Sequence, residues 1–117
     1  MAGDRTRRIN GEMQKCLADI LRTEMKDPRI SIMTSIVRVE VTNDLSYAKV
    51  FISVYDTDKM KKSTIIALEH AQGFLRTEVG KRLKLRKLPE LRIIEDHSME
   101  QSAKISKIID DIGAKDE

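Results

Sequence analysis

Apolar side chains recur at three- and four-residue steps near the start of the chain: Ile9, Met13, Cys16, Leu17, Ile20, Leu21 and Met25. That spacing predicts an amphipathic helix from about Thr6 to Lys26, with a stripe wide enough to cover a sheet. Arg5, Arg7, Arg8, Lys15 and Arg22 fall mainly off the stripe. Pro28 ends the helix, because a residue before proline is pushed out of the helical region. The period then changes to two. Across Ser35–Thr42, Val37, Val39 and Val41 share one face, and Arg38, Glu40 and Thr42 the other. Across Tyr47–Tyr55, Ala48, Val50, Ile52 and Val54 alternate with Tyr47, Lys49, Phe51 and Ser53. Two strands with one buried face are expected, and Asn43-Asp44-Leu45-Ser46 supplies a hairpin turn between them.

A helix follows from about Lys59 to His70, capped by Asp56 or Asp58. A second helical pattern, Phe74, Leu75, Val79 and Leu83, runs toward Leu85. Gly73 sits between the two and costs about 1 kcal/mol of helix propensity relative to Ala. It marks either a bend that lets the backbone approach a partner or a tolerated glycine in one continuous helix. Leu88-Pro89 ends this region. Leu91 and Ile93 then alternate with Arg92 and Ile94 as a short strand that proline must precede. Asp96 or Ser98 begins a final helix carrying Met99, Ile105, Ile108, Ile109 and Ile112. The order of elements predicts one α+β domain over residues 1–117, with short flexible ends at about 1–5 and 113–117. Its helices pack mainly on one face of a three-stranded sheet.

Charge changes the picture most. From Gln72 to Leu88 the basic residues Arg76, Lys81, Arg82, Lys84, Arg86 and Lys87 face one acid, Glu78. This segment is +5 where the whole chain is +3, so the remainder is −2. Segregation of this kind points to a polyanion, with RNA the leading candidate. Cys16 is the only cysteine, which excludes an internal disulfide and a thiolate zinc site and fits a reducing cytoplasm. No apolar run suggests a secretory leader or a bilayer span. His70 and His97 are the only histidines, and no HExxH, nucleophile elbow or P-loop occurs, so an enzyme, a metal and a cofactor are not expected.

Several local words, in this order, resemble the ribosome-binding factor A family. They are Arg8 with Met13-Gln14-Lys15, then Lys26-Asp27-Pro28-Arg29 and Leu45-Ser46-Tyr47-Ala48-Lys49-Val50. Ala71-Gln72-Gly73-Phe74-Leu75-Arg76, Arg82-Leu83-Lys84-Leu85-Arg86, Pro89-Glu90-Leu91 and Asp96-His97-Ser98 complete the series. The resemblance spans Arg8 to Ile109. It implies a type II KH-like domain with an Ala-x-Gly kink at Ala71, Gln72 and Gly73 in place of the GxxG loop. It also implies a non-catalytic assembly factor for the immature 30S subunit and its 16S rRNA; a cytoplasmic monomer is expected, with pairing through an uncovered strand edge left open. Support of rRNA 5′ end maturation, a role chiefly in the cold and a functional link to a maturation GTPase belong to the same implication. The alternatives are a generic single-stranded nucleic-acid module or a protein–protein adaptor.

The candidate RNA contacts are Lys81, Arg82, Lys84, Arg86 and Lys87, because multivalent cations displace counterions from phosphates. The competing reading is a solvated helix face. Arg76 joins them only if the helix turns suitably. Arg8 belongs to a basic amino-terminal arm that orders on RNA or simply frays. Lys26 and Arg29 flank Pro28, where Asp27 is an alternative partner for either. Tyr47, Phe51 and Tyr55 share a strand face. An exposed row would stack on bases, but Ile36 on the same face favours packing. Phe74 is expected in the core.

Overall fold

The computed structural model describes residues 2–97, so the expected final helix lies outside the described residues. Helix α1 runs Ala2–Thr23, strand β1 Thr34–Val41, β2 Tyr47–Val54, α2 Asp58–His70, α3 Gln72–Leu83 and β3 Glu90–Glu95. β2 lies at the centre of the sheet, antiparallel to β1 and parallel to β3. The α2–α3 pair forms the crossover that a parallel neighbour requires.

The core follows the predicted apolar pattern except at Val37 and Phe74, which are exposed. Ile9, Met13, Cys16, Leu17 and Ile20 of α1 bury against Val39, Ala48, Val50, Ile52 and Val54, with Leu68, Leu75, Val79 and Leu91 closing the layer. Burial raises the pKa of the Cys16 thiol, which leaves it an inert packing group. Helix α1 ends at Thr23, short of the expected Lys26. The amides of Glu24 and Met25 both donate to the Ile20 carbonyl, and the Thr23 hydroxyl donates to that of Asp19. The helix therefore closes ahead of Pro28, and the freed chain carries Ile30 into the core.

One expected strand face is corrected. Ile36 pairs with Ile52 but Arg38 pairs with Phe51, so Val37 is an extra residue, a β-bulge. The bulge flips the parity of β1. Ile36 joins Val39 and Val41 on the core side, and Val37 turns outward. The Gln14 side chain donates to the carbonyls of Ile36 and Val37 at 3.2 and 3.1 Å, and Asn10 accepts from the Val41 amide at 2.8 Å. Polar side chains of α1 thus engage the outer edge of β1.

The same flip removes the reason for packing the aromatic row. No described helix covers the opposite face of the sheet. Tyr55 is 82% exposed. The guanidinium groups of Arg38 and Arg92 lie 3.8 and 4.4 Å from the ring centres of Phe51 and Tyr47.

The hairpin turn forms at the expected residues. Asp44 accepts from the Ser46 amide at 3.0 Å and the Thr42 hydroxyl at 2.8 Å. These bonds, the Ser46 amide first, hold its carboxyl pKa down to about 2. Leu45 adopts φ 58°, a left-handed conformation that costs roughly 1–2 kcal/mol outside glycine. Packing of its side chain against the core offsets that cost.

Neither Asp56 nor Asp58 caps α2. Thr57 does, accepting from the Met60 amide. Asp56 instead accepts from the Ser31 hydroxyl at 2.8 Å and from the Thr57 amide, and these bonds lower its pKa. The fully buried Thr64 hydroxyl accepts from the Ser31 amide and donates to the Met60 carbonyl, tying the loop before β1 to α2.

Candidate nucleic-acid interface

The helical run breaks at Ala71, whose φ −87° and ψ 8° lie between helix and extended values. Its amide still donates to Ala67 and its carbonyl still accepts from Leu75, so these two bonds link α2 to α3 across the break. Gly73 lies inside α3 with negative φ, and a Cβ placed there meets nothing within 4 Å. The interruption therefore belongs to Ala71. Among the described residues, neither backbone strain nor packing requires the glycine.

Helix α3 divides the basic segment in two. Successive residues lie 100° apart, so Leu75 and Val79 face the core while Gly73, Phe74, Thr77 and Lys81 share an exposed arc of about 100°. Two of the predicted cations are engaged by partners within the chain. Arg76 donates to the carbonyls of Pro89 at 3.0 Å and Leu88 at 2.8 Å, pinning the loop before β3. Arg82 reaches Asp19 at 2.7 Å, Glu24 at 3.7 Å and Glu78 at 3.8 Å, with 31% of its side chain accessible. It ties α3 to α1. The bonds from Arg22 and then Arg82 lower the pKa of Asp19, and the bond to Asp19 raises that of Arg82.

The remaining cations point out. Lys81 is exposed beside Glu78 at 3.7 Å. Lys84 closes α3 as a left-handed residue, φ 52° and ψ 43°, where glycine is the usual occupant. Lys84 and Arg86 are exposed and have no ion pair or hydrogen bond among the described residues. Lys87 donates to the Ser46 hydroxyl at 3.1 Å and brings the loop against the hairpin turn. Leu83 and Leu85 pack toward the core and anchor this stretch. Gly80 admits the Leu88 side chain, whose Cδ2 would meet an added Cβ.

The other predicted contacts lie on other elements. Arg8 stands 3.9 Å from Glu12 on α1. Arg29 binds Asp27 through two side-chain nitrogens and its own amide, and these bonds lower the pKa of Asp27. Lys26 is exposed beside an open groove of about 1020 Å³ lined by Leu21, Met25, Ile30 and Ile36, remote in chain order from the outward cations.

Phe74 corrects the expectation of a core residue, since it is 43% exposed on the same arc as Lys81. Its angular offset from Leu75 and Val79 was the available signal. An aromatic ring, a bare glycine backbone and the Lys81 side chain therefore share one face of α3.

A helix–strand–strand–helix–helix–strand order, with the helices on one sheet face and a break between the paired helices, defines a type II KH-like domain. Residues 5–109 match the family model described as ribosome-binding factor A. The ribosome-binding factor A of Clostridium tetani is 46% identical over 112 residues, covering 96% of this chain and 93% of that protein. A Thermotoga maritima solution structure, described as a putative ribosome binding factor A, superposes with TM-score 0.71 at 36% identity, covering 80% of this chain and 89% of its own. A Thermus thermophilus ribosome binding factor A homology model, fitted into a cryo-EM map of a 30S complex, shares the fold at TM-score 0.63 and 20% identity, covering 75% and 91%. The chain belongs to the ribosome-binding factor A family.

Proposed function

We propose that this protein is a non-catalytic assembly factor that binds the immature 30S subunit by its 16S rRNA. The interface is the outward arc of α3 and the loop Lys84–Lys87. The observation that carries the reading is that Lys81, Lys84, Arg86 and Lys87 remain outward while Arg76 and Arg82 are tied to partners within the chain. Family membership and the 30S complex reported for the Thermus relative support the same partner. Cationic side chains fix position on the phosphates, and local RNA shape supplies selectivity. Bound in this way, the domain holds one arrangement of immature rRNA until maturation favours another. Support of 5′ end maturation, a role chiefly in the cold, release with a maturation GTPase and action as a cytoplasmic monomer complete the proposal. Arg8, Lys26 and Arg29 are secondary contacts in it.

The test is sedimentation with immature small subunits across a salt series. The double variant Lys84→Glu/Arg86→Glu is expected to bind about tenfold or more weakly and with a shallower salt dependence. Its unfolding midpoint is expected to stay unchanged. Unaltered binding overturns the site. Equal affinity for arbitrary short single strands favours a generic nucleic-acid module instead.

A further inference from the structure

Among the described residues, Gly73 and Phe74 have no evident internal role. The glycine is set in a helix without positive φ, and an added Cβ would find open space. Alanine would fit there and favour the helix, so nothing among the described residues calls for the bare backbone. The neighbouring ring is 43% exposed, while Leu75 beside it supplies the core contact. A single exposed apolar residue is ordinary on any protein. This one differs in its setting, because Gly73 borders it and Lys81 lies two turns along the same arc, about 10 Å away by helical rise.

We propose that Phe74 is a stacking platform for one unpaired base of the RNA held along α3. The ribose of that nucleotide lies against the backbone at Gly73, and a flanking phosphate reaches Lys81. The inference rests on the reading of α3 as the RNA-facing surface and adds a different physical interaction to it. Cations respond to phosphate charge and lose affinity with salt. An aromatic ring engages the face of a base, and that contact is nearly independent of salt. Thr77 lies on the same arc, and its hydroxyl donates back to the Gly73 carbonyl at 2.9 Å rather than outward.

The experiment measures binding of the full chain to immature small subunits at several salt concentrations, with thermal unfolding recorded for each variant. Phe74→Ala and Phe74→Leu are expected to weaken binding by roughly five- to hundredfold, the range of one lost base–aromatic stack. Their salt slope should equal that of the unchanged protein. Phe74→Tyr retains a ring and should bind as the unchanged protein does. Gly73→Ala should fold at least as well yet bind more weakly.

Leucine matching phenylalanine overturns the stacking role, since an aliphatic side chain keeps the bulk and loses the ring. Phe74→Ala binding normally while Lys84→Glu/Arg86→Glu binds weakly also overturns it and leaves the RNA-facing surface standing. If neither substitution matters, the surface assignment falls together with the platform.

Discussion

Arg76 and Arg82 within α3, and Lys84 and Arg86 just past its end, come from the same run of positive charge and do opposite things. The arginines spend their donors on Leu88, Pro89, Asp19, Glu24 and Glu78. Lys84 and Arg86 face outward with no such partner among the described residues. Counting charge along a segment therefore overstates the part of it that an RNA can meet. The planar guanidinium, with several donors in a fixed fork, suits a role bridging elements, as at Arg76 and Arg82.

The comparison breaks if inward and outward residues exchange phenotypes. The largest stability effect is expected at Arg76→Leu, which strands two carbonyls of the loop before β3. The expected loss is about 1.5–3 kcal/mol in urea unfolding, with affinity per folded molecule little changed. Lys84→Gly should act in the other direction. Glycine relieves the left-handed C-cap and raises stability by about 1 kcal/mol, yet subunit affinity falls as a phosphate contact is lost. A gain in both properties would refute the outward assignment.

Arg82→Leu should lower the midpoint less than Arg76→Leu, because its partners are solvent-screened. NMR titration provides the sharper reading. The Asp19 pKa should rise part of the way toward its ordinary value, with Arg22 still holding it down. The smallest effect concerns pH. Asp44 has a folded pKa of about 2, below the ordinary carboxylate value of 3.8. Its contribution is complete above the unfolded pKa and disappears as pH falls from about 4 toward 2. Asp44→Asn should flatten that part of the stability profile, measured by unfolding at stepped pH, and leave RNA binding near neutrality unaltered.

Much of the frame was legible. The stripe from Ile9 to Ile20 and the alternation from Ala48 to Val54 each state a period without ambiguity, and the buried residues follow them. The hairpin turn was readable because Asp44 and Ser46 bond locally. The bulge was not, since Val37 has the same β-branched apolar character as Val39. Only pairing against β2 and the reach of Gln14 decide which of them turns outward. The cap of α2 was misplaced because Thr57, Asp56 and Asp58 are all good capping residues, and Ser31, distant in sequence, engages Asp56. The candidate site was half legible. Charge located α3, but the division between tying arginines and outward cations depends on carboxylates of α1 and carbonyls near β3. No local pattern contains those.

The extra residue in β1 has a consequence for self-association. An edge strand normally offers a row of open amides and carbonyls to any passing chain. In this protein the outermost hydrogen-bonding positions at Ile36, Val37 and Val41 are already occupied by Gln14 and Asn10. A second molecule attempting to extend the sheet there would have to strip two side chains from the first helix. The molecule thus guards this border against fibril-like growth with amide side chains rather than with charge.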